Sequence, residues 1–256
     1  MGGLTIALSA GIASAQTTPL TITGFNADVI ADGASVTTST TGTIDGTDVF
    51  YDSSYAASYS GSTLGAGIAA GAFPASQSIT NQTTGVIYDL PSATPTVNNG
   101  LLVNSTAPVT LTLDDAGSLG TLYLLGTSAG GPLLDYTLTF AGGIVTGPAT
   151  FSFADWYDLT ATGFVNGLGR VGAAFPSVNN YDNVGGNNFS LYSVAIPIPV
   201  ADQSLTLQSI AISLDSSDTG GSAVVFAAST SPVPEPTALL LGAAGVGLLA
   251  ILRRRS

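Results

Sequence analysis

Leu205-Thr206-Leu207-Gln208-Ser209-Ile210-Ala211-Ile212-Ser213-Leu214 decides the fold class. Leu205, Leu207, Ile210 and Ile212 interleave with Thr206, Gln208, Ala211 and Ser213. A period of two puts the apolar residues on one face and the polar ones on the other, which is a half-buried β-strand. The alternation slips once, at Gln208-Ser209, and an extra residue in one strand predicts a bulge there.

Runs of the same kind recur on either side, at 20–25, 86–90, 109–113, 119–125, 136–140, 150–153, 171–175, 189–196 and 223–227. Gly, Asn, Asp and Pro clusters separate them. Leu111-Thr112-Leu113 leads into Asp114-Asp115-Ala116-Gly117, a turn by composition. Residues 136–140 lead into Gly142-Gly143, which reads as a hairpin. Outside the two chain ends no helical period lasts beyond two turns. Short strands at this spacing predict an all-β fold, a single β-sandwich or jelly roll. Residues 37–75 are poor in bulky aliphatics and rich in Ser, Thr, Ala, Gly and Tyr. They read as loops with one or two weak strands, capping the sandwich.

The ends differ from this body. Residues 4–12 form a short apolar stretch, and Ala13-Ser14-Ala15 is an A-x-A cleavage site, so 1–15 read as a signal peptide. The basic opening of such a peptide is missing, which reads as a start lying inside a longer signal. Residues 231–256 begin Ser231-Pro232-Val233-Pro234-Glu235-Pro236-Thr237. An uncharged apolar run, 238–252, follows, and the chain closes with Arg253-Arg254-Arg255-Ser256. The prolines hold an extended spacer, and Pro236 stands where a helix start favours proline. A helix over 237–252 would span roughly 24 Å at 1.5 Å per residue. That is short for a hydrocarbon core of about 30 Å, a gap that thinning and arginine side chains reaching the headgroups can close. The three arginines hold the C-terminus on the cytoplasmic side.

Between these ends, residues 16–230 form one β-sandwich domain by length. They hold fifteen Asp, no Glu, no Lys, no His and a single Arg, Arg170, for a net charge of −14. Such a surface excludes nucleic acid as a partner, because nothing neutralises phosphates. The chain has no Cys, so stability rests on a core and not on disulfides.

Pro234, Glu235 and Pro236, the single apolar helix and Arg253, Arg254 and Arg255 resemble the PEP-CTERM sorting domain. That resemblance implies a partner, an exosortase-type membrane peptidase, and membrane attachment through a C-terminal transmembrane sorting helix before processing. It also implies a destination, the cell surface or extracellular matrix of a Gram-negative bacterium that secretes polysaccharide. A second resemblance lies in the body. Gly24-Phe25-Asn26-Ala27-Asp28-Val29-Ile30, Phe151-Ser152-Phe153-Ala154-Asp155-Trp156-Tyr157 and residues 188–197 resemble a galactose-binding-like β-sandwich of exported bacterial proteins. It implies a jelly roll that binds carbohydrate and performs no catalysis.

Candidate chemistry is sparse. Gly126-Thr127-Ser128-Ala129-Gly130 matches G-x-S-x-G, but no His exists to serve as base, and the segment reads as a glycine turn. Asp155 with Asp158, and Asp114 with Asp115, are the local carboxylate pairs an Asp-dependent glycan-active enzyme would need. Their competing reading is turn formation. Cys and His metal sites are excluded by composition. Residues 179–188, with Asp182 and Asn183, form an oxygen-rich loop that suits a structural calcium or an ordinary Asn/Gly loop. No other cofactor is expected. For a polysaccharide, an aromatic platform with polar partners is required. The candidates are Trp156, Tyr157 and Tyr181, with Asp155, Arg170, Asn179 and Asn180. Each has packing as its competing role. Three functions therefore stand: a non-catalytic polysaccharide-binding surface protein, an Asp-dependent glycan-active enzyme, and a purely structural matrix protein.

Overall fold

The alternating run at 205–214 forms strand β14 (Leu207–Leu214), with Leu207, Ile210 and Ile212 fully buried. Its register shifts between Leu207 and Ser209, where the sequence slips. The computed structural model describes residues 17–33, 39–58, 70–81, 84–114, 116–158, 160–172, 189–218 and 220–233. All belong to one unit, Thr17–Val233. Their elements, in chain order, begin with β1 (Thr18–Thr23), β2 (Ile30–Ala31), β3 (Asp48–Tyr51), helix α1 (Ser53–Ser58), β4 (Ser78–Thr80), β5 (Ile87–Asp89) and β6 (Leu101–Val103). Then come β7 (Val109–Asp114), β8 (Leu119–Ala129), β9 (Leu134–Phe140), β10 (Ile144–Phe151), β11 (Val165–Leu168), β12 (Arg170–Gly172), β13 (Phe189–Pro197) and β15 (Ser222–Pro232) around β14.

Two large antiparallel sheets share β1. Its first half pairs with β15, Leu20 beside Ala228, and its second half with β7, Ile22 beside Leu113. One sheet runs β10-β9-β14-β7-β1, the other β1-β15-β8-β13-β11 with β6 also on β15. Their inner faces close on one core: Leu111, Leu138, Ile210 and Ile212 from the first sheet meet Leu122, Leu124, Ile196 and Val225 from the second. Each such side chain contributes about 1.5–3 kcal/mol by leaving water. The architecture is sandwich-like and all-β.

The second sheet is buried on both faces. On β15, Ala223, Val225 and Ala228 face the sandwich core, while Val224, Phe226 and Ala227 face another core. The phase change between Val225 and Ala227 is a register shift in the β8 pairing. The outer core is closed by the chain between β1 and β6. Parallel β2 and β3 with β12 form one small sheet, and β4 with β5 forms another. Phe50 and Phe73 reach the outer core, while Tyr51 and Tyr55 form a smaller cluster behind it with Ala31 and Val171. The segment expected to be loops with weak strands is, in its described part, an aromatic-rich packed layer. Its apolar area sits in a few rings and not in aliphatic runs.

Residues 126–129, expected as a glycine turn, continue β8. The turn follows at Gly130 and Gly131, both with positive φ. Gly126 needs its missing side chain, because a Cβ there would meet the Val224 carbonyl oxygen and the Phe153 ring. Among the described residues no helix is long and apolar enough to cross a membrane. The C-terminal run expected as a transmembrane helix lies outside them.

Candidate functional site

The corner after β10 holds the expected sugar platform. Asp155 lies beside the end of β8, in an isolated bridge with Ser128. Its carboxylate accepts the backbone N–H of Gly130 at 2.5 Å and of Tyr157 at 2.8 Å. The backbone N–H of Trp156 donates to the Ser128 carbonyl at 2.7 Å, and its own carbonyl accepts from Ser190 at 2.9 Å. Trp156 is thereby stitched between β8 and β13.

Trp156 is 3% exposed. It stands edge-on to Phe50 at 5.4 Å between centroids and against Phe189 at 4.9 Å. The Arg170 guanidinium lies 5.4 Å from its centre. No face is left open for a sugar to stack on, so Trp156 is a packing residue and not the platform expected of it. Tyr157 is exposed, with its ring 5.7 Å from Phe189.

Arg170, expected as a polar sugar partner, is engaged within the fold. Its guanidinium contacts Asp45 at 3.2 Å and Asp48 at 3.4 Å and lies 4.6 Å from the Phe189 ring centre. Burial pushes the Asp48 carboxyl above its usual range, and the Asp45 charge adds to that; Arg170 opposes both. Ser128 is buried, and its hydroxyl donates to the Phe153 and Ala154 carbonyls, each at 3.0 Å. Asp158 sits in a turn, its carboxylate held below the usual range mainly by the Thr160 hydroxyl and backbone N–H. The candidates Asn179, Asn180, Tyr181, Asp182 and Asn183 lie outside the described residues. So do the sorting residues Pro234, Glu235, Pro236, Arg253, Arg254 and Arg255.

A groove that the sequence did not single out lies where β1 passes from one sheet to the other. It holds about 230 Å³ and is lined by Pro19, Thr21, Ile22, Phe25, Asp89 and Pro91, with Phe226 behind them. That is below the roughly 300–1,000 Å³ of pockets for drug-sized ligands, so it suits one ring-sized group. The lining mixes polar and apolar surface in about equal parts, Thr21 and Asp89 beside Pro19, Ile22, Phe25 and Pro91, a mixture compatible with the CH face and hydroxyls of a sugar ring. Phe25 falls in a segment singled out for its resemblance, but nothing in the local sequence pairs it with Asp89 and Pro91.

Two perturbed carboxyls lie elsewhere. Asp28 and Asp32, on either side of β2, are both buried. Burial pushes each carboxyl up to about 6, and neighbouring carboxylates add to it: Asp32 for Asp28, and Asp52 for Asp32. The Asn99 side-chain amide donates to Asp28 at 2.6 Å and partly offsets its burial. Among the described residues no three Asp, Glu, His or Cys side chains stand together to hold a metal ion. The chain matches no protein-family model and no curated protein.

Proposed function

We propose that this chain is an exported, non-catalytic surface or extracellular-matrix protein. Its C-terminal signal hands it to an exosortase-type membrane peptidase, and its galactose-binding-like body binds extracellular polysaccharide. One observation carries the reading: a proline-framed acidic residue at 234–236, one uncharged apolar run and three terminal arginines, in that order. The prolines keep the cleavable spacer extended. The arginines oppose passage of the C-terminus across the membrane.

The body supports it in two ways. The three segments behind the galactose-binding-like resemblance contribute to one outer core, through Ala27, Val29 and Ile30, through Trp156, and through Phe189 and Leu191. The groove at Phe25 and Asp89 supplies a surface of the right chemistry for a sugar ring. Replacing Arg253, Arg254 and Arg255 together by Ser should free the C-terminus to cross, and membrane fractions should lose the protein. A triple variant retained and processed like the wild type contradicts the stop-transfer role.

The burial of Trp156 favours a second reading, a structural matrix protein without a ligand. Retention of the full chain on immobilised polysaccharide, abolished by Phe25→Ala, separates the two.

A further inference from the structure

Asp32 directly follows β2, and Asp52 directly follows β3. These strands pair in parallel, Ile30 beside Phe50 and Ala31 beside Tyr51, and the Asp52 N–H donates to the Ala31 carbonyl at 2.9 Å. The two aspartates therefore leave the small sheet side by side. Both are buried, Asp32 at 3% and Asp52 at 8% exposure. Asp52 is satisfied on one oxygen, which caps α1 by accepting from the Tyr55 N–H at 2.8 Å and the Ser54 hydroxyl at 2.7 Å. Asp32 is not satisfied: both of its carboxylate oxygens are buried and accept no hydrogen bond. Hydroxyl oxygens border the pair. Ser39 Oγ accepts the Asp32 N–H at 3.2 Å, and Ser54 Oγ accepts the Gly33 N–H at 2.9 Å.

A buried carboxylate with no donor, set beside a second carboxylate, is strongly unfavourable unless something neutralises it. The body has one cationic side chain, Arg170, and that lies against Asp45 and Asp48. We propose that Asp32 and Asp52 form a binding site for a hard divalent cation, calcium foremost, which fastens the end of β2 to the start of α1. Two orphaned oxygens on one carboxylate suit calcium, which accepts bidentate carboxylates and irregular shells of 6–8 oxygens; magnesium demands a near-ideal octahedron. Among the described residues no third acidic side chain joins the two carboxylates, so water, hydroxyl and carbonyl oxygens complete the shell. Affinity then belongs to the weak class of about 10⁻⁴–10⁻³ M seen in extracellular modules.

The test uses the full chain, stripped with chelator and titrated with calcium chloride at constant ionic strength. A saturable rise in Tm is expected, with a midpoint of about 10⁻⁴–10⁻³ M. Terbium should bind in competition with calcium, its luminescence sensitised by Tyr51 and Tyr55 close by. Asp32→Asn should abolish both responses while melting no lower than the wild type in chelator, since it removes the uncompensated charge. Asp202→Asn, on a carboxylate in the turn after β13, should leave both intact. A wild-type chain that melts identically with calcium and with sodium at matched ionic strength overturns the proposal, and a proton alone then neutralises Asp32. An undiminished calcium response in Asp32→Asn overturns it equally, by placing the cation at another site. If Asp52→Asn fails to fold for want of its helix cap, Asp32→Asn decides alone.

Discussion

Replacing Trp156 by alanine removes a ring packed between Phe50 and Phe189 beneath Arg170. Truncating so buried an aromatic costs about 3–5 kcal/mol, because a cavity adds to the lost transfer energy. Urea melts of Trp156→Ala should show that loss, and a midpoint like the wild type's contradicts the core assignment. The local sequence placed Trp156 correctly at a strand end. It did not reveal the burial, because Phe50, which covers the ring, comes from the outer layer far earlier in the chain. Asp28 gives the second test at this scale. Its carboxyl is raised from 3.8 to about 6, chiefly by burial, with Asp32 adding to the rise and Asn99 opposing it. A raised carboxyl binds its proton more tightly in the folded state. Its contribution is therefore greatest below pH 3.8 and is lost as pH rises through about 6. That shift corresponds to about 3 kcal/mol at 1.36 kcal/mol per unit. Asp28→Asn keeps an acceptor for Asn99 and carries no charge. In chelator it should be more stable than the wild type at pH 7.5 and lose less stability between pH 4 and 6. A variant whose stability falls with pH as steeply as the wild type's contradicts this. Asp32 titrates in the same direction, so the slope should flatten without vanishing.

Strand β10 lies at the margin of its sheet, paired with β9 alone among the described residues. Pro148 and the register shift between Thr146 and Ala149 interrupt it, which blunts edge-to-edge pairing. Its first residues remain unprotected, with Ile144 44% and Val145 60% exposed. Val145→Lys should slow aggregation at high protein concentration and shift stability by no more than about 0.5 kcal/mol, as exposed substitutions do. Unchanged light scattering would contradict that role for the edge. Elements were legible in the sequence where one face is wet. β14 with its bulge, and the β9–β10 hairpin closed by Gly142 and Gly143 at positive φ, are of this kind. β2, β3, β6 and β11 have two to four residues and no sustained alternation, so no period announced them. β15, buried on both faces, reads as a nearly continuous apolar run and gives no hint of which residue faces which core. The groove between β1 and β5 was illegible for a related reason: its residues converge from separate segments.

At the scale of the whole molecule, a body with fifteen Asp and a single Arg is held together by two cores on opposite sides of one sheet. Along β15, Ala223 and Val225 serve one core and Val224 between them serves the other. Under the proposed function the terminal segments act on delivery: the first ends in an A-x-A site, and the last joins a proline-rich spacer to an apolar run and three arginines. The account is tested most directly by the intact mass of the protein released from cells that carry an exosortase-type peptidase. It predicts a mature chain lacking the N-terminal signal and the C-terminal apolar run with its three arginines. A released protein that still carries Arg253, Arg254 and Arg255 would contradict it.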